Sequence, residues 1–130
     1  MESSCQLPTS IDSGFDLHST KDLEIGAFGR ALVPTGLKVS FEEGYEIQVR
    51  PKSGLAIKQG LTVLNTPGTV DSGYNGEVQV IVFNTNNYSV VIPKGMKVGQ
   101  AVLCPVINGD WVELINRSEE HTSELQSRGL

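Results

Sequence analysis

From residue 31 to residue 106 the chain is a succession of short apolar–polar alternations, each cut off by glycine, proline or asparagine. That pattern constrains the fold more than anything else in the sequence. In T-G-L-K-V-S-F (35–41) Leu37, Val39 and Phe41 share one face, and Y-E-I-Q-V-R (45–50) alternates again after the turn at Glu42-Glu43-Gly44. A period of two sends successive side chains to opposite faces of a strand, so each run reads as a strand with one face toward a core. Further strands are predicted at 15–17, entered from the turn at Ser13-Gly14, and at 23–25, 31–34, 61–64, 76–84, 88–92, 100–106 and 111–114. Turn formers at Asn86-Asn87, Pro93-Lys94-Gly95 and Asn108-Gly109-Asp110 separate the later ones. A single short helix is expected over 53–59, with Ser53 as N-cap and Gly60 as its stop. Many short strands with glycine and proline turns point to an all-β sandwich or barrel.

At 130 residues the chain has room for one modest core. No domain boundary, internal repeat or low-complexity linker is visible before Asn116. No apolar run approaches the roughly 18 residues of a membrane span. Residues 1–7 lack the basic and apolar regions of a signal peptide. Cys5 and Cys104 are too far apart for a metal motif or a disulfide framework, so two reduced thiols and a cytoplasmic location are expected, with no membrane partner. His18 and His121 have no ligand spacing around them, and nothing resembles a nucleophile elbow. A net charge of −5 argues against a general nucleic-acid grip, which needs a basic face. It leaves room for a small phosphorylated ligand held by local cations and a metal.

Two stretches carry chemistry. In L-T-V-L-N-T-P-G-T-V-D-S-G-Y-N-G-E (61–77) a strand breaks at Asn65-Thr66-Pro67-Gly68 and returns through Thr69-Val70 to a lone carboxylate, Asp71. Tyr74 follows a second turn at Ser72-Gly73. Such a loop can cradle a flat ligand; taken alone, it reads more readily as an ordinary hairpin with a solvated Asp and a packed Tyr. In R-P-K-S-G (50–54) Arg50, Lys52, a hydroxyl and a glycine meet at the predicted helix start, where free amides favour an anion. Taken alone, that too is readable as a capped surface turn.

The order of the motifs is more specific than any one of them. S-G-F-D-L with Asp16, R-P-K-S-G-L-A, N-T-P-G-T-V-D-S-G-Y-N-G-E and P-K-G-M-K-V-G-Q resemble, in sequence and spacing, four successive motifs of the trimeric dUTPases. The likeness spans about residues 7–114. It implies a small all-β, distorted jelly-roll-like barrel of the dUTPase β-clip type with one short helix. Three subunits would build each active site at their interfaces. It implies hydrolysis of dUTP to dUMP and pyrophosphate, with Asp71 as the base that deprotonates a water attacking the α-phosphorus. Tyr74 would pack against the deoxyribose, and residues 65–71, Asn65, Gly68, Thr69 and Val70 among them, would read the uracil through the backbone. Ser53, Gly54 and Gln100 would bind phosphate together with Arg50 and Lys52. Asp16 would act through water on a Mg²⁺ held mainly by the substrate's phosphates.

Two departures from the family pattern stand out. Lys52 occupies a position usually held by arginine, which keeps the charge and loses the planar two-pronged contact. The family also closes its site with an arginine- and glycine-rich tail containing phenylalanine, whereas residues 117–130 read R-S-E-E-H-T-S-E-L-Q-S-R-G-L. That stretch resembles the translation of a sequencing-library adapter read in frame. The expectation is therefore a dUTPase-like domain over 1–116 and a foreign, disordered tail over 117–130. A catalytically impaired dUTP-binding or regulatory relative, and a dCTP deaminase relative, are the alternatives. A deaminase would need a glutamate suited to cytosine C4, where this chain has Asp71 in V-D-S-G-Y.

Overall fold

The structure, a computed structural model, describes residues 3–5 (backbone) and 14–107. Over those residues ten strands and one helix follow in order: β1 (Ser3–Cys5), β2 (Phe15–His18), β3 (Leu23–Ile25), β4 (Arg30–Val39), β5 (Tyr45–Arg50), α1 (Ser53–Gln59), β6 (Leu61–Val63), β7 (Gly68–Asp71), β8 (Val78–Asn84), β9 (Val90–Ile92) and β10 (Lys97–Pro105). They form two four-stranded sheets, β1-β4-β8-β6 and β2-β10-β5-β7, with a two-stranded ribbon of β3 and β9. Apart from β1, which runs parallel to β4, all these pairs are antiparallel. This is the all-β architecture with one short helix that the sequence pattern predicts, in the jelly-roll-like form that the resemblance implies.

Alternation decides which face goes in. In β8, Val78, Val80, Val82 and Asn84 are buried while Gln79, Ile81 and Phe83 point away. In β5, Ile47 and Val49 are buried while Glu46, Gln48 and Arg50 share the outer face. The inward rows meet in one core with Leu17, Ile25, Val33, Leu61, Val63, Ile92 and Val98. Burying each such side chain is worth about 1.5–3 kcal/mol, and β-branched residues suit the pleated surface. Asn84, a large polar side chain inside this core, is satisfied: its amide nitrogen lies 2.9–3.1 Å from the carbonyls of Ile25, Gly26 and Tyr88. It thereby fastens the β3–β9 ribbon to the sheet.

Two local expectations are corrected. The predicted break between 31–34 and 35–41 is one strand, β4, with a register shift between Pro34 and Leu37. Proline lacks the ladder N–H, and Gly36 takes φ +73, so a bulge accommodates both without ending the strand. Ser53 is the first helical residue; the N-cap is Lys52, in extended conformation and without a side-chain capping bond. Gly60 ends the helix in the left-handed region, its N–H donating to the Ala56 carbonyl at 3.0 Å. Neither β1 nor β7 was foreseen: Ser3-Ser4-Cys5 carries no apolar–polar alternation, and Gly68–Asp71 follows directly on a cluster of turn formers. The strand predicted at 111–114, Cys5's side chain, His121 and the tail at 117–130 lie outside the described residues. Among those described, no helix is long and apolar enough to cross a membrane.

Candidate active site

The chain crosses from β6, at the edge of one sheet, to β7, at the edge of the other, and a cleft of about 300 Å³ opens beside that crossing. Asn65, Thr69, Val70, Asp71 and Tyr74 line it, joined by Glu77 and by Leu32 and Ile81 from the outer face of the first sheet. The sequence-derived group around Asp71 is thus one site, not a scatter. Gly68 sits beneath it: a Cβ there would lie 3.1 Å from Asn65 Nδ2, so the missing side chain lets Asn65 fold across the hairpin. The Thr66–Pro67 peptide bond within the crossing is cis.

Asp71 ends β7 and is exposed. Its carbonyl accepts the Tyr74 N–H at 3.0 Å, closing a tight turn that brings acid and aromatic ring to one side. Among the described residues no side chain bonds to or pairs with the Asp71 carboxylate, which leaves both oxygens open to water. Directly across the ladder stands Glu46, whose carboxylate accepts from Gln48 Nε2 at 2.8 Å. Tyr74 is 46% exposed and its hydroxyl donates to the Glu77 carbonyl at 2.8 Å, so one ring face is free.

The second group lies elsewhere on the β2-β10-β5-β7 sheet. Gln100 stands in register with Asp16 on one side and Arg50 on the other, a single row across three strands. Gln100 Nε2 donates to the Pro51 carbonyl at 2.9 Å, tying the row to the loop that carries Lys52, Ser53 and Gly54. Arg50 is steadied by Gln48, whose Oε1 accepts from Nε at 3.1 Å and Nη2 at 2.7 Å, and Nη2 also reaches Cys104 Sγ at 3.6 Å. A Cβ on Gly54 would meet nothing within 4 Å, so its backbone faces open space.

Asp16 is held by two lysines. Lys52 Nζ lies 2.7 Å from Oδ1 and Lys97 Nζ 3.2 Å from Oδ2. The Lys52 hydrogen bond holds its carboxyl below the ordinary value; burial opposes that shift, and Lys97 adds to the lowering. Lys97 was given no role from the sequence, where P-K-G-M-K-V-G-Q contributes Gln100 alone. The β2–β10 register, which pairs Lys97 with His18, is what brings it to Asp16. Among the described residues no group of three or more His, Cys, Asp or Glu is placed to hold a metal ion. Asp16 is the carboxylate of this cluster, a donor that fits a metal carried on ligand phosphates and touched through water.

The two groups are far apart within one chain. Asp71 pairs with Glu46, four residues along β5 from Arg50. At about 3.3 Å per residue and about 4.8 Å between strands, Asp71 stands about 14 Å from Arg50, about 16 Å from Gln100 and about 20 Å from Asp16, Cα to Cα.

A family model for dUTPase matches residues 3–129. The deoxyuridine 5'-triphosphate nucleotidohydrolase of Nautilia profundicola is 48% identical over 111 residues, covering 85% of this chain and 78% of that protein. The chain belongs to the dUTPase family. The corresponding enzyme of Hydrogenobaculum sp. is 44% identical over 123 residues, covering 94% of this chain and 83% of its own. Among solved structures, native EIAV dUTPase superposes with a TM-score of 0.69 at 31% identity, covering 77% of this chain and 81% of that one. A mutant dUTPase of phage phi11 of S. aureus, whose structure shows the coordination of a structural Mg(II) ion, shares the fold at TM-score 0.71 and 21% identity, over 81% of this chain and 84% of its own.

Proposed function

We propose that this chain hydrolyses dUTP to dUMP and pyrophosphate with Asp71 as general base. Family membership gives the reaction class. The observation that carries the assignment of roles is Asp71, at the mouth of a cleft, with an unengaged carboxylate and an aromatic ring turned to the same side. A water hydrogen-bonded to Asp71 gives up its proton to the carboxylate as its oxygen bonds to the α-phosphorus. The bond from that phosphorus to the bridging oxygen breaks, and pyrophosphate leaves with the electron pair. Tyr74 walls the sugar so that a 2′-hydroxyl meets the ring. Asn65, Gly68, Thr69 and Val70 offer backbone donors and acceptors to the uracil edge, where a mismatched base leaves buried polar groups unpaired.

Arg50, Lys52, Ser53, Gly54 and Gln100 hold the phosphates. Asp16 would hold a Mg²⁺ ion through water, and that ion would supply charge neutralisation at the attacked phosphorus. The separation of about 14–20 Å between the Asp71 cleft and the phosphate row of one chain supports a complete site that takes Asp71 from one copy and the phosphate row from another. We read the protein as a homotrimer with shared sites, working in the cytoplasm. The test is pyrophosphate release from dUTP, dCTP, dTTP and UTP in the presence of Mg²⁺. Release from dUTP at least about 100-fold faster than from the other three is expected; equal release from dCTP or UTP would refute the reading of the cleft.

A further inference from the structure

We infer that Glu77 is a positioning residue for sugar discrimination, holding the Tyr74 ring in the plane against which the nucleotide sugar packs. This rests on the role given to Tyr74 above. Tyr74 is nearly half exposed, and a ring on two rotatable bonds rejects a hydroxyl by its position only if it cannot swing aside. Both ends of Glu77 prevent that swing. Its carbonyl accepts the Tyr74 hydroxyl at 2.8 Å, and its carboxylate accepts the Gly36 N–H at 2.6 Å. The second bond is charge-assisted and therefore stronger than a neutral one.

Gly36 is a firm anchor. It sits in the β4 bulge, in the left-handed region, in a stretch that Thr35 fixes by donating its hydroxyl to the Val78 carbonyl. Glu77 thus ties a surface aromatic to a strand whose neighbours are core. Gly76 completes the device: a Cβ there would lie 2.6 Å from Tyr74 Oη and 2.8 Å from Cζ, so the ring rests directly on the Gly76 backbone. Nothing in the D-S-G-Y-N-G-E run announces this, because Gly36 is 41 residues away in sequence.

The test compares kcat/KM for dUTP and UTP in the wild type, Glu77→Ala, Glu77→Gln and Gly76→Ala, with thermal melting alongside. Glu77→Ala should lower the dUTP:UTP ratio about ten-fold, chiefly by admitting UTP. Glu77→Gln, whose amide oxygen still accepts from Gly36, should keep the ratio within about three-fold. Gly76→Ala, which displaces the ring without touching Glu77, should move the ratio as Glu77→Ala does. A ratio unchanged in Glu77→Ala, with only stability or overall rate reduced, overturns the inference and leaves the parent reading standing. A wild type that fails to turn over dUTP overturns the parent reading and this inference with it.

Discussion

Two inactive versions of this chain should repair each other. On the proposed shared-site arrangement, the Asp71 carboxylate and the Arg50–Gln100–Asp16 row of one copy serve different sites. One variant, Asp71→Asn, removes the base, which is worth about 10²–10⁴ in rate. The other, Arg50→Gln with Lys52→Gln, removes two cations from the phosphate row. Charge-assisted hydrogen bonds contribute about 1.5–3 kcal/mol each, so the pair should cost about 3–6 kcal/mol, or roughly 10²–10⁴ in kcat/KM. Each variant alone is then close to inactive. In an equimolar mixture, co-refolded so that copies assort at random, half the sites receive an intact Asp71. Half of those face an intact phosphate row. About one quarter of sites are therefore complete, and activity per chain should return to about 25% of a wild-type sample refolded in the same way. The assay is pyrophosphate release at dUTP well below KM, with gel filtration and two affinity tags to establish that mixed assemblies formed. Mixed assemblies no more active than the separate variants would refute the shared-site geometry and place both groups in one chain's site.

Other outcomes follow from individual residues. In H₂¹⁸O, attack at the α-phosphorus should put the label in dUMP and none in pyrophosphate, as read by mass spectrometry. Lys97→Met removes a cation from beside Asp16 and should raise KM for dUTP about ten-fold with little change in Tm, whereas Lys94→Met should change neither. Gly36→Ala forces an L-residue to φ +73 with its Cβ 2.9 Å from Thr20 Cγ2, and should destabilise the fold by about 1–3 kcal/mol in urea titrations. Asp16 has a lowered pKa, so its ion pairs stabilise the fold above the ordinary value of 3.8 and lose that contribution as pH falls through the lower folded value. The stability gap between wild type and Asp16→Asn should therefore be present at pH 7 and shrink below about pH 4. Appending an arginine-, glycine- and phenylalanine-containing tail after Asn116 should raise kcat more than it lowers KM, because closure excludes water and aligns phosphates.

The strands were legible because their signal is local. Y-E-I-Q-V-R needs nothing but its own period of two to declare a buried face at Ile47 and Val49. The hairpin around Asp71 was equally legible, since turn formers on both sides of one carboxylate are written in consecutive residues. The bulge at Pro34–Gly36 was not, because proline and glycine end a strand in most settings and only pairing with β8 carries it through. Ser53 was misplaced by one position: Lys52 is the extended residue before the helix, and Ser53 is already in its first turn. Lys97 and Glu77 were missed because their partners, Asp16 and Gly36, are brought to them by strand register, which no single stretch of sequence states. Family membership, by contrast, was legible early, because four ordered motifs constrain far more than any one of them.

The central claim is that Asp71 performs the chemistry and not the binding. The direct measurement is single-turnover hydrolysis of dUTP by the wild type and Asp71→Asn, with the affinity of each for a non-hydrolysable α,β-imido dUTP measured by calorimetry. The account predicts a rate lower by about 10²–10⁴ in the variant with affinity within about three-fold of wild type. A variant that keeps its rate, or one that loses rate only in proportion to lost binding, would contradict it.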